Sequence, residues 1–168
     1  LETSPVAVYH CPSRRSPRLY KGAAKSDYAG NGGSGVNGFF VQTSRESIDF
    51  SAIQDGLSQT MALGESRLHR AYMENGGSSC CSDNENAYTS GWADDNIRFG
   101  NNMPGPDVSD PAIPTSIIDG YFGSSHTVGF HALAGDGAVK FLSFSIDGTS
   151  FLRFSGRNDG KHVAIDNM

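Results

Sequence analysis

The stretch "GFHALAGDGAVKFLS", from Gly129 to Ser143, limits the fold more than any other part of the chain. In an extended backbone Phe130, Ala132 and Ala134 fall on one side and His131 and Leu133 on the other. Val139, Phe141 and Ser143 likewise oppose Lys140 and Leu142. Between the two runs, "AGDGA" supplies the Asp136-Gly137 pair, the strongest short-range hairpin signal. A β-hairpin is expected, and with it an antiparallel sheet. His126 stands just before the first strand, with nine residues between it and Asp136. A regular hairpin of that length spans roughly 25 to 30 Å, so the two residues fix separate turns and do not form an acid–base pair. The expected role of His126 is a latch, hydrogen-bonded to loop backbone at the strand entrance.

The rest of the chain fits that beginning. Its 168 residues suffice for one domain, 1–168, with a real core. The 21 glycines and seven prolines, with only 18% charged residues, argue against a helix bundle. Further strands are expected at Gly38–Gln42 ("GFFVQ"), Thr60–Ser66 ("TMALGES") and 162–165 ("HVAI"), with one short helix near Thr149–Phe154. Turns are expected at Asp55-Gly56, Asp147-Gly148 and Asn158-Asp159-Gly160. "DYAGNGGSGVN" reads as a loop. Its G-x-G-x-x-G from Gly30 to Gly35 lacks the preceding strand and following helix of a nucleotide fingerprint. The fold class is therefore α+β and mostly β: an antiparallel sheet with short helices and long loops.

Charge is unevenly placed. Residues 74–119 form a variable acidic loop segment with eight acids against the single base Arg98. Within it Tyr88, Trp92, Asp94 and Asp95 are the candidate ligand-binding residues, because an aromatic face stacks on a sugar ring while carboxylates accept its hydroxyls. The same acids are the only candidates for calcium, without EF-hand spacing; no other cofactor is expected. Arg14, Arg15, Arg18, Lys21 and Lys25 read as a solvated basic strip without the aromatic interleaving of a nucleic-acid site. Cys11, Cys80 and Cys81 show no zinc-type spacing. A bridge from Cys11 to Cys80 or Cys81 would leave one thiol over. Glu65 interrupts the apolar alternation of its strand and reads as a satisfied strand-end carboxylate.

No serine-hydrolase elbow, zincin motif or phosphate-binding loop is present, and the five histidines lie without ligand spacing. The chain is not expected to be an enzyme, although histidines and acids brought together by folding could hold a metal. No apolar stretch reaches the ~20 residues of a membrane span, and no signal peptide is seen. Because the chain starts at Leu1, a preceding segment is expected to have been removed.

The ordered segments "YHCPSRR", "SDYAGNGG", "IQDGLSQTMALGE", "FGSSHTVGFHALAGDGAVKF" and "FLRFSGRNDG" resemble a large bacterial family of unknown function. That family joins a prepilin-type segment to a C-terminal His-x(9)-Asp-Gly signature. The resemblance runs from about Tyr9 to Gly160 outside the acidic segment, and departs from the pattern at His131 and Ala134. It implies a pilin-like or pseudopilin-like head exposed outside the cytoplasmic membrane, in the cell envelope, attached to the membrane only through an N-terminal helix. It makes His126, Asp136, Gly137, Asp55 and Gly56 a structural signature. It implies other protein subunits, or an N-terminal piece of the same protein, as partners, and no nucleic acid. A glycan-binding module acting through residues 74–119 is the alternative. Because one or two turns of helix are too short to cover a sheet, one apolar sheet face is expected to need cover from outside this chain.

Overall fold

The computed structural model describes residues 2–42, 44, 47–74, 83, 91–93, 95–163 and 165. Among them seven strands form two sheets. A five-stranded sheet contains β1 (Tyr28–Asn31), β2 (Met61–Glu65), β3 (Ile97–Arg98), β6 (Gly129–Ala134) and β7 (Val139–Ser143), in the order β3-β1-β2-β6-β7. A small second sheet pairs β4 (Gly105–Pro106) with β5 (Gly123–Ser124). The contacts β1–β2, β2–β6 and β6–β7 are antiparallel, whereas β3 on β1 and β4 on β5 are parallel. One α-helix, α1 (Gly148–Ser155), completes an α+β, mostly β architecture with a mixed main sheet.

The hairpin forms as its pattern dictates. Gly129 pairs with Ser143 and Leu133 with Val139. The turn closes by bonds from Ala134 N to Ala138 O and from Gly137 N to Ala134 O, while Asp136 Oδ1 accepts from Ala138 N. Gly137 has φ +91°, and a Cβ there would meet nothing within 4 Å, so the cost of a side chain is one of backbone conformation alone. Gly137→Val is expected to destabilise the fold by ~1–3 kcal/mol, measured by thermal unfolding. An unchanged melting temperature would refute the positive-φ requirement.

The inner face of the sheet holds the core. Met61, Phe130, Ala132, Ala134 and Leu142 point toward α1, where Phe151 and Phe154 meet them together with Phe122, Ile146, Val163 and Ile165. Asp147 caps α1 by accepting from Ser150 N at 2.8 Å, and that bond holds its carboxyl below the usual range. Eight residues of helix therefore cover this face, contrary to the expectation that so short a helix would not. The reason is that two phenylalanines one turn apart do the covering, and loops supply the remainder. The outer face is covered only in part among the described residues: Phe40 lies over β1 and Cys11 beside the end of β2, whereas toward β7 Val139 is 67% and Phe141 42% exposed.

Two expected strands do not form. Residues 38–42 form no ladder, and the strand lies instead in "YAGN", read from sequence as loop. Gly30 lets this happen, since a Cβ there would lie 2.8 Å from the ring of Phe40, which packs directly over β1. Phe40 then contributes one bond, N to Asn31 O at 3.0 Å. In the "HVAI" stretch, Val163 and Ile165 are buried in the core without strand pairing, Val163 N bonding the Gln59 side chain.

The Asp55-Gly56 turn is present, with Gly56 at φ +94°. Asp55 is buried and accepts from Asp159 N and Gly160 N at 2.9 and 2.6 Å, so it binds the last expected turn to this one.

Candidate functional site

The segment before β1 is fastened to the sheet by charge. Asp27, fully buried, accepts from Cys11 N at 2.7 Å and lies 3.4 Å from Arg14 Nη1 and 2.7 Å from Arg15 Nε. Arg14 makes a two-pronged contact with Asp107 at 2.9 and 3.1 Å and donates to Ser66 O at 2.6 Å. Arg15 does the same with Asp83 at 2.7 and 3.2 Å. Burial alone would lower both guanidinium pKa values; the carboxylates, Asp107 foremost for Arg14 and Asp83 for Arg15, overcome it and raise them. The expected solvated strip holds for Arg18 and Lys21, which are exposed, but Arg14, Arg15 and Lys25 are buried, the two arginines because Asp27, Asp83 and Asp107 converge on them.

This network sets Cys11 beside the end of β2, where Glu65 projects onto the outer face and is 1% exposed. His126 reaches the same point from the loop before β6. That loop is shaped by Ser124, whose Oγ donates to Gly129 O and accepts from His126 N. The His126 ring does not reach loop backbone as expected. Its Nε2 lies 3.3 Å from Glu65 Oε1 and 3.7 Å from Cys11 Sγ. The other carboxylate oxygen, Oε2, accepts from His131 N at 2.7 Å and lies 3.2 Å from His131 Nδ1. The two imidazoles meet edge to face with centroids 5.2 Å apart. Burial pushes the Cys11 thiol up, and the nearby Glu65 adds to the shift.

Cysteine, histidine and carboxylate suggest nucleophilic catalysis, but the geometry differs from that of a relay. In a relay the acid orients the base through the ring nitrogen away from the nucleophile. Here Glu65 and Cys11 meet the same nitrogen. The cluster opens onto a groove of about 540 Å³ along the outer face, bordered by Val8, Pro12, Leu63, Leu133 and Val139.

Of the signature residues, His126 alone enters this cluster; Asp136, Gly137, Asp55 and Gly56 shape turns elsewhere. Trp92 is half-buried and Asp95 buried, while Tyr88 and Asp94, like Cys80 and Cys81, lie outside the described residues. Cys11 is a free thiol. Sequence reasoning left Cys11 and Glu65 out of the site. The one signal available was Glu65 itself, a carboxylate breaking an apolar alternation in a strand that turns out to be central.

No curated protein and no solved structure matches the chain. A family described as "Protein of unknown function (DUF1559)" matches residues 1–149. That span includes all seven described strands together with Cys11, Glu65, His126 and the complete hairpin. By this match over most of its length, the chain belongs to the DUF1559 family.

Proposed function

We propose that the chain is a structural or assembly subunit, the extracytoplasmic head of a type IV pilin-like or secretion pseudopilin-like protein of the cell envelope, acting without catalysis. Its outer sheet face would pack on another subunit or on an N-terminal piece of the same protein. The observation that carries this reading is the apolar outer face. A groove of about 760 Å³ runs along it, bordered by Val6, Val8, Tyr28, Phe40, Leu63 and Ile97, and a second groove that shares Val8, Tyr28 and Leu63 with it reaches the exposed Val139. Contiguous apolar surface of this kind on a soluble protein marks an interaction face. Family membership and the motif order described above point the same way.

The test uses Val139→Asp, which places a charge on the open face at a position that is 67% exposed. The parent chain is expected to self-associate or aggregate in analytical ultracentrifugation, and Val139→Asp to be markedly more monomeric at equal stability. A parent chain that is a cooperatively folded monomer at every concentration would overturn the reading.

A further inference from the structure

We propose that Cys11, Glu65 and His126 form a site for a divalent transition-metal ion, zinc(II) by the chemistry of its donors. This inference is independent of the pilin-like reading. The three ligand atoms lie within 4.8 Å of one another. Around a tetrahedral zinc with Zn–S about 2.3 Å and Zn–N and Zn–O about 2.0–2.1 Å, sulfur and nitrogen stand about 3.6 Å apart, and nitrogen and oxygen about 3.3 Å. The observed separations are 3.7 Å from Cys11 Sγ to His126 Nε2 and 3.3 Å from His126 Nε2 to Glu65 Oε1.

A purely hydrogen-bonded arrangement would have the Cys11 thiol and His126 Nε2 both turned on Glu65, and metal binding separates the two accounts. Nε2 of a neutral ring carries one proton or one lone pair, so it bonds either the thiol or the carboxylate well, not both. The sulfur, the imidazole nitrogen and the carboxylate oxygen all lie within 4.8 Å of one another, as ligands of one ion do. The support is also built. Oε2 of Glu65 is held by the backbone and ring nitrogens of His131, which leaves Oε1 free to face the ion. Cys11 is fixed through its backbone to buried Asp27.

The donor set selects the metal. Calcium and magnesium take oxygen ligands, six or more, and this cluster offers one carboxylate. Thiolate, imidazole and carboxylate together suit zinc. With three protein ligands, the fourth position opens onto the groove beside Leu63 and Leu133 and holds solvent. On binding, the Cys11 proton passes to solvent and a sulfur–zinc bond forms. The ion would clasp the N-terminal segment, β2 and the loop before β6.

The experiment takes the chain stripped with chelator under a phosphine reductant and adds Zn²⁺, measuring bound metal after dialysis, then Co²⁺, measuring the sulfur-to-cobalt charge-transfer absorption. One equivalent of zinc and a cobalt–thiolate band are expected. Cys11→Ser should abolish the band. Glu65→Gln and His126→Gln should each weaken zinc binding by more than about a hundredfold, and His131→Ala, whose side chain is half-exposed, by about ten- to a hundredfold. Zinc should also protect Cys11 from alkylation, read by peptide mapping. Failure to bind stoichiometric zinc would overturn the proposal. So would binding that survives Cys11→Ser and His126→Gln in variants whose circular dichroism matches the parent, or binding lost only in Cys80→Ser/Cys81→Ser.

Discussion

Replacing Asp27 with alanine is expected to lower stability by about 3–5 kcal/mol, the cost of leaving buried charge without its partner. Asp27 touches both arginines and the Cys11 amide, and its own backbone joins the network, N to Tyr9 O and O from Ser66 N. Without it Arg14 keeps Asp107 and Arg15 keeps Asp83, but both guanidinium groups remain buried next to each other with one shared anion fewer. The cost is large because the side chains of Arg14 and Asp27 are 0% exposed and Arg15 is 2% exposed, so water has no route to compensate. An exposed pair provides the contrast. Arg18 and Glu74 also form an ion pair, yet their side chains are 52% and 55% exposed, and Glu74→Ala should cost about 1 kcal/mol or less. Urea unfolding of the two variants decides the matter. A loss within 1 kcal/mol for Asp27→Ala would mean that the arginines find other partners or reach solvent. The variant also loosens the segment carrying Cys11, so its thiol should alkylate faster than in the parent.

The parts of the fold legible in sequence are those in which local pattern and tertiary environment agree. The hairpin was readable because alternation and the Asp136-Gly137 turn specify the same register. β2 was readable because Met61 to Glu65 lie between turn signals. β1 was not, since "YAGN" has the composition of a loop and becomes a strand only because β2 and β3 pair with it and Phe40 needs Gly30 beneath it. "GFFV" failed in the opposite direction: a short apolar run satisfies the composition of a strand, but here its rings pack over a sheet instead of entering it. The burial of Arg14 and Arg15 could not be read because it depends on Asp27, Asp83 and Asp107, which a linear charge count sees only as separate acids. The cluster at the outer face was hidden for the same reason. Cys11 and His126 are 115 positions apart, and a spacing motif detects ligands only when one loop or helix carries them.

Phe151→Ala is expected to cost about 3–5 kcal/mol, as large-to-small changes in a closed core do, whereas Phe141→Ala should cost about 1 kcal/mol or less in the isolated chain. The two residues lie on opposite sides of one sheet. Phe151 is fully buried and meets Phe122 and Phe130 edge to face at 6.2 and 6.1 Å. Its removal leaves a hole between α1 and the sheet that neighbouring aromatic rings, stiff and already in contact, cannot fill. Because α1 has only eight residues and contributes two phenylalanines to the core, losing one removes a large share of what holds the helix down, and α1 should fray first in hydrogen exchange. Phe141 packs against the half-exposed His131 ring, with centroids 5.2 Å apart, and over Gly129, and is itself 42% exposed. If the outer face is an assembly surface, the ranking should narrow in the assembled state: Phe141→Ala would then weaken association while leaving the monomer's urea midpoint almost unchanged. Measuring both variants by urea unfolding and by sedimentation separates the two faces. Equal losses of monomer stability would show that the outer face is as closed as the inner one and would remove the basis for treating it as an interface.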